Sequence, residues 1–379
     1  SQYNVRGGNY DENMIYINDF EVFRPYLVSS GQQEGLSFIN PELVKNVNFY
    51  TGGFQAKYGD KMSSVLDIQY KKPTKSEGTV YMSLLEQGLS YSTSFKKERA
   101  TLLVGARNKT NRSLLSKQPT IGSYIPSASD IQGLLSYKWN EHWQMELLGI
   151  LSGSSFSYYP ESSQQTSSVF SPLFTSNLGL DTYFSGQEKD IYTTSLLGAT
   201  IIHSPSKQLK LKWLISRLTD NEKERYDIRG DYIFGQRSFD PVNEGLGDIV
   251  NPLGAGSYQQ YARNSLNIEV LNVSHRGSYD MQKHVLLWGN SIEQVNIADK
   301  VKSFEYRDSA GYSLPYSGSV ASIYRYENSQ NNLSIYKYSG FFQDNIHLAS
   351  NRHDVSLQAG VRYHYNNLNQ EFLISPRLQ

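Results

Sequence analysis

Asp354-Val355-Ser356-Leu357-Gln358-Ala359-Gly360-Val361-Arg362-Tyr363-His364-Tyr365 is the stretch on which the fold turns. Val355, Leu357, Ala359, Val361, Tyr363 and Tyr365 fall at every second position, and Ser356, Gln358, Gly360, Arg362 and His364 fill the gaps. A period of two belongs to an extended strand, whose side chains alternate between two faces. A tilted strand of about 9–11 residues crosses a bilayer, and this one is long enough.

Working outward, residues 131–139 repeat the pattern: Ile131, Leu135, Tyr137 and Trp139 oppose Gln132, Ser136 and Lys138. Leu209, Leu211, Trp213 and Ile215 alternate with Lys210, Lys212 and Ser216. Short polar turns are expected at 96–98, 140–142, 204–208, 280–283 and 350–353. Between them lie polar stretches at about 109–128, 155–188, 222–262 and 300–330, expected to be loops. Short and long connections therefore alternate. In a membrane barrel every second connection lies on the same side, giving short periplasmic turns and long extracellular loops. A soluble sandwich has no reason to sort its loops by parity. Tyr137, Trp139 and Trp143 bracket one short turn, as an interfacial aromatic girdle would.

Composition agrees. Only 38% of residues are hydrophobic, yet 13% are aromatic and 29 are Tyr, which suits aromatic belts better than a Leu/Val/Ile core. Lys+Arg and Asp+Glu are both 36, so there is no basic field for nucleic acid. With no Cys, thiol catalysis, zinc–thiolate sites and disulfides are excluded. The seven His residues show no H-x-x-x-H or H-E-x-x-H spacing and no G-x-S-x-G elbow occurs, so neither a metal, a cofactor nor an enzymatic activity is expected. No run of 18 apolar residues encodes a transmembrane helix. The chain opens at Ser1 without Met and stops at Gln379 inside a strand pattern; both ends read as cut from a longer chain.

Residues 1–75 differ. Short strands are expected at 14–18, 46–51 and 64–70. A short helix is expected from Asn40, with Pro41 at its first position and Glu42 in its first turn. A small α+β domain over 1–75 is thus expected ahead of a barrel over 76–379. The tail 71–75, with Pro73, is a polar connector. If that connector and the turn at 96–98 share a rim, residues 78–95 form a hairpin turning near 85–88, with Gly88 at positive φ. Twelve barrel strands follow, the last beginning near Phe372.

Gly340-Phe341-Phe342-Gln343-Asp344, Ala359-Gly360-Val361-Arg362-Tyr363 and Ser375-Pro376-Arg377-Leu378 resemble consecutive barrel motifs of TonB-dependent outer-membrane receptors. Tyr3-Asn4-Val5-Arg6-Gly7-Gly8 resembles the first strand of their plug, residues 14–20 its next strand with Asn18-Asp19 in place of Asp-Gly, and 40–67 its closing segment. The plug style is similar to Bacteroidetes members. The strand Val47-Asn48-Phe49-Tyr50-Thr51 lacks the Glu and the basic residue that family plugs commonly carry there.

The resemblance implies an all-β transmembrane antiparallel barrel, about half present, around an α+β plug in the outer membrane lipid. It implies energised uptake of a scarce small ligand (an iron chelate, a cobalamin, a peptide or an oligosaccharide), driven by TonB through a box preceding Ser1. A glycan importer with a surface lipoprotein is the alternative within the family; a passive porin or adhesin barrel, which would have no plug, is the alternative outside it. Phe23, Arg24, Tyr26 and Glu34 would lie on an apical plug loop facing the ligand. Phe156, Tyr158, Tyr159, Tyr183 and Phe184, with Phe170 and Phe174, would either touch ligand from the 155–188 connection or pack that connection on its neighbours. Arg6 would anchor the plug to an inward carboxylate such as Glu269 or Glu293.

Overall fold

The computed structural model describes residues 5–8, 12–23, 38–52, 54–59, 63–95, 98–110, 123–171, 174–239, 247–308, 323–349 and 354–379. The strands are β1 (Asn13–Ile17), β2 (Phe20–Glu21), β3 (Val44–Tyr50), β4 (Ser64–Tyr70), β5 (Glu77–Met82), β6 (Glu86–Phe95), β7 (Ala100–Thr110), β8 (Ser123–Lys138), β9 (Trp143–Tyr159), β10 (Ser163–Ser171), β11 (Phe174–His203), β12 (Leu209–Arg237), β13 (Ile249–Asp280), β14 (His284–Asp308), β15 (Ile323–Ala349), β16 (Asp354–Asn366) and β17 (Glu371–Leu378).

Two sheets result. A four-stranded sheet has the order β2-β1-β4-β3, with β1 and β4 parallel. The second sheet runs from β17 back to β5 through sequential antiparallel neighbours, with β10 paired to β11 off that path. Along the path it has the expected twelve strands, and it is open between β17 and β5.

The wide sheet is inside out. Its outward side chains are apolar and exposed: Ile131 at 56%, Leu151 at 57%, Leu197 at 58% and Ile215 at 51%. Its inward side chains include buried polar groups: Gln132 at 0%, Asp130 at 3% and Arg107 at 4%. An aqueous protein would lose the burial of those apolar chains, whereas lipid outside and a polar filling inside suit them. On β16, Val355, Leu357, Val361 and Tyr363 are exposed, and Arg362 and Gly360 face the small sheet.

The short turns share one rim. Ser204 N donates to His142 O, Asp280 N to Gln208 O and His347 N to Lys283 O. Lys138 N donates to Arg99 O, which brings the start of β7 to the same level. Lys96, Lys97 and the turn at 350–353 lie outside the described residues. Beside this rim, Trp143 stacks on His203 with centroids 4.0 Å apart and Trp213 lies 5.4 Å from His275, all at outward strand positions. Of the expected girdle, Tyr137 and Trp139 meet edge-on with centroids 6.2 Å apart, and rings so placed suit an interfacial belt.

Three expectations are corrected. The long connections are mostly strand: β11, β12 and β13 run for 30, 29 and 32 residues, and the β11–β12 ladder is continuous from Leu178↔Gln236 to His203↔Leu211. Backbone pairing along the ladder persists there without the regular apolar alternation that marks a strand in sequence. The helix from Asn40 is a single 3-10 turn, Pro41–Leu43. Asn40 Oδ1 does accept from Glu42 N at 3.1 Å, but Val44, Asn46, Val47 and Asn48 are poor helix formers, and pairing with β4 takes them. Among its described residues the small domain is therefore β with 3-10 turns. Finally, β5 and β6 form the expected hairpin, yet it turns at 83–85. Ser83 Oγ accepts from Leu85 N and Glu86 N, so no left-handed glycine is needed, and Gly88 sits in β6 opposite Tyr81.

Candidate functional site: the interface between plug and wall

The small sheet lies against the inward face of the wide one. One buried cluster joins Ile17, Phe20, Val22, Phe38 and Leu43 to wall residues Leu103, Leu134, Ile150 and Leu196. Glycines on the wall allow this approach. A Cβ on Gly198 would come within 2.6 Å of the Phe20 ring, and one on Gly105 within 2.9 Å of Asn40 Nδ2.

Polar links surround that contact. Asn18 and Asp19 take φ of 49° and 71° in the two-residue turn between β1 and β2, the geometry of a type I′ hairpin that Asn and Asp tolerate. The turn presents Asp19 to the wall. Arg276 Nη1 donates to Asp19 Oδ1 at 2.9 Å and Arg276 Nη2 to its carbonyl at 3.3 Å. Lys212 Nζ donates to Oδ2 at 2.5 Å, and Lys57 and Lys210 line the same small cavity. Burial works to raise the Asp19 carboxyl; the Arg276 and Lys212 charges and the Lys212 hydrogen bond outweigh it and hold it well below the usual carboxylate range. Within the plug, Tyr58 donates to Asp67 at 2.7 Å; burial and the Asp67 charge push its phenol up.

On the other flank Arg107 of β7 is fully committed. Nε donates to Asp130 Oδ2 at 2.6 Å, Nη1 to Ile39 O at 2.7 Å and Nη2 to Phe38 O at 2.8 Å. Gln132 Nε2 donates to Phe38 O and to Asp130 Oδ1, both at 2.8 Å, and Tyr70 donates to Gln132. A buried ion pair costs desolvation unless its remaining hydrogen-bonding groups are satisfied; here plug carbonyls satisfy them. Gln343 of β15 accepts from Ala56 N at 2.7 Å. Arg377 of β17 donates to Phe54 O and Gln55 O at 3.2 and 3.1 Å. Lys72, past the last plug strand, pairs with Glu146 at 2.5 Å, near the rim of short turns as expected for the connector. A cavity lined by Asp19, Phe23, Asn272, Glu293, Lys337 and His364 separates the plug from the β13–β16 wall.

The expected ligand residues are scattered. Phe23 lines that cavity, with Lys337 Nζ 5.6 Å from its ring centroid. Arg24, Tyr26 and Glu34 lie outside the described residues. Phe156 is buried in the plug–wall cluster and Tyr158 packs against it. Phe184 stands beside Gly230, where a Cβ would come within 2.7 Å of its ring. Tyr159 and Tyr183 are 41% and 51% exposed at alternate, outward positions. Phe170 and Phe174 lie on β10 and β11.

Arg6 is exposed at φ 51°, and its guanidinium lies over Gly52, where a Cβ would meet Nη1 at 2.6 Å. The suggested partners are engaged elsewhere: Glu269 with Arg217 at 2.6 Å and Glu293 with Lys337 at 3.0 Å. Polar plug-to-wall contacts come instead from Asp19, Ala56, Tyr70, Lys72 and the carbonyls of Phe38, Ile39, Phe54 and Gln55. Sequence reading missed Arg107, Lys212, Arg276 and Gln343; the available signal was a charge or amide at the inward position of an alternating strand.

Comparison with known proteins fits this architecture. Residues 1–64 match the family model of the TonB-dependent Receptor Plug Domain. The outer membrane transporter YddB from Escherichia coli aligns with 99% of this chain and 51% of its own length, at TM-score 0.58 and 14% identity. BauA, the ferric preacinetobactin receptor from Acinetobacter baumannii, aligns with 100% of this chain and 56% of its own, at TM-score 0.53 and 10% identity. The chain thus spans about half the length of these two structures. No curated protein sequence matches it. Residues 1–64 are thus similar to a TonB-dependent receptor plug, in line with the resemblance read from the motifs, and the chain shares the fold of these two outer-membrane proteins.

Proposed function

We propose that the protein containing this chain imports a ligand across the outer membrane in a TonB-driven step, with residues 1–75 as the plug and 76–379 as the opening strands of the barrel. The observation that supports this most is the mode of plug attachment. The plug sits on the inward wall through a small set of hydrogen bonds and ion pairs, from Asp19, Arg107, Gln343 and Arg377, around one apolar contact. A passive pore has no use for such a stopper. Polar links with water or ions as alternative partners can be exchanged when the plug is pulled, at a net cost of about 0.5–1.5 kcal/mol per neutral hydrogen bond.

The ligand would enter between the tall strands β11–β15, meet Tyr158, Phe184 and the plug around Phe23, and leave past the cavity beside Asp19. Tyr159 and Tyr183, pointing outward, would touch lipid headgroups or a surface partner instead. No bond in the ligand is made or broken. The test is accumulation of labelled candidate ligands in cells expressing the complete receptor, with and without TonB. Accumulation that needs the receptor and TonB supports import; accumulation indifferent to TonB would make the barrel a passive one.

A further inference from the structure

The inward face of β9, β11 and β12 carries a pattern that plug docking does not use. Register places Ser154, Tyr192 and Glu222 in one row, Phe156, Asp190 and Glu224 in the next, and Tyr158, Glu188 and Tyr226 in the third. Four carboxylates and four aromatic rings therefore share one patch, with no Lys or Arg among these positions. The cations of these strands, Lys189, Lys223 and Arg225, alternate onto the other face. Further round the wall, Arg307 and Arg325 pair with carboxylates of their own, Glu305 and Glu327.

Asp190 is the centre of the patch. It is 4% exposed and its Oδ1 is buried without a hydrogen-bond partner. An unsatisfied buried acceptor is destabilising, the more so when charged, and here the adjacent carboxylates add repulsion. Asn264 Nδ2 reaches Glu224 at 3.2 Å, an amide where a charge would be needed. The patch lies beyond the outward apolar band, which on β11 ends at Leu197 and on β12 at Ile215. The patch meets the plug, since Phe156, Tyr158 and Tyr192 belong to or pack on the cluster containing Phe20, Val22 and Phe38.

We propose that this patch binds the ammonium or guanidinium group of a cationic organic ligand on its way to the plug. A cation there would complete Asp190, relieve the repulsion between Asp190, Glu188 and Glu224, and rest against the faces of Tyr192, Tyr158 and Tyr226, whose quadrupoles favour it. Among the described residues no three carboxylate or imidazole groups converge to hold a metal ion, so an extended organic cation fits better than a bare one. This inference rests on the import reading and narrows its ligand class.

The test is titration of the complete receptor, purified in detergent, with trilysine, with triglutamate and with calcium chloride. The wild type should bind trilysine and not triglutamate. Asp190→Asn combined with Glu224→Gln should weaken trilysine about tenfold or more, two charge-assisted hydrogen bonds being lost, while Asp190→Glu keeps most of the affinity. Heat-modifiable migration on gels establishes that each variant is folded. Equal binding of the two peptides, trilysine affinity unchanged in the double variant, no trilysine binding at all, or binding of calcium alone would overturn the proposal. TonB-dependent accumulation is read separately. Charge-selective binding without it keeps the site and removes the import reading; accumulation without charge-selective binding does the reverse.

Discussion

Asp19 illustrates what one residue contributes. The Asn18-Asp19 pair departs from the Asp-Gly of the family pattern, and the structure gives the departure a role, because the second residue now carries a carboxylate to Arg276 and Lys212. Asp19→Asn should destabilise plug docking by about 1–3 kcal/mol, leaving the wall cations Arg276 and Lys212 without their counter-charge. It should show as faster proteolysis of the plug and a lower urea midpoint; an unchanged midpoint would remove Asp19 from the anchoring set. The pH dependence has a definite sign. A carboxylate held below its unfolded value of about 3.9 contributes stability that is fully present above that pH and is lost as pH falls through the lowered folded value. Docking should therefore stay constant from neutral down to roughly pH 5 and weaken only below about 4, and the weakening attributable to Asp19 should vanish in Asp19→Asn. An equal acid response in the two proteins would assign it to other carboxylates.

Among elements, β16 is the most legible. Its alternation was plain in the sequence, and the structure turns Val361 outward at 42% exposure while its neighbour Arg362 lies against Gly59 of the plug. One residue apart along the same strand, an arginine is native on one face and foreign on the other. Val361→Arg should cost about 2–4 kcal/mol if it lies near the bilayer midplane and lower the folded yield of the complete receptor in lipid vesicles, whereas Val361→Leu should fold normally. Equal yields would contradict the lipid-facing assignment. β11 shows the opposite case: Ile191 to His203 alternates weakly, because its inward face mixes Tyr192, Thr194, Leu196, Gly198 and Thr200 to suit the plug. Its upper half sets Leu178, Leu180 and Phe184 on one face, but Gly, Thr and charged residues break the alternation, so it reads as a loop until its partners supply the ladder.

At the scale of the molecule, the claim is that the plug must leave its seat for transport. The absence of Cys makes this directly testable. A Cβ on Gly360 would lie 2.9 Å from the Ala56 Cβ, close to the 3.5–4.5 Å of a disulfide and reachable by a small shift. The Ala56→Cys, Gly360→Cys receptor should lose TonB-dependent accumulation when oxidised and regain it on reduction, with each single variant active throughout. Undiminished accumulation by the oxidised receptor would show that the plug need not separate from β16.

The sequence by itself determined the strand period, the parity of the turns, the twelve crossings and the order of plug before barrel. Each of these rests on short-range chemistry: alternation along one strand, turn residues between two, or a local motif. Only the tertiary structure decided which charges meet. Asp19 and Arg276 are far apart in the chain, as are Arg107 and the carbonyls of Phe38 and Ile39, so no local pattern could pair them, and Arg6 was singled out while Asp19 held the wall. The same holds for the tall outer strands and for the acidic patch. Residues 190 and 224 face each other through ladder register alone, and that register is set by neighbouring strands in three dimensions.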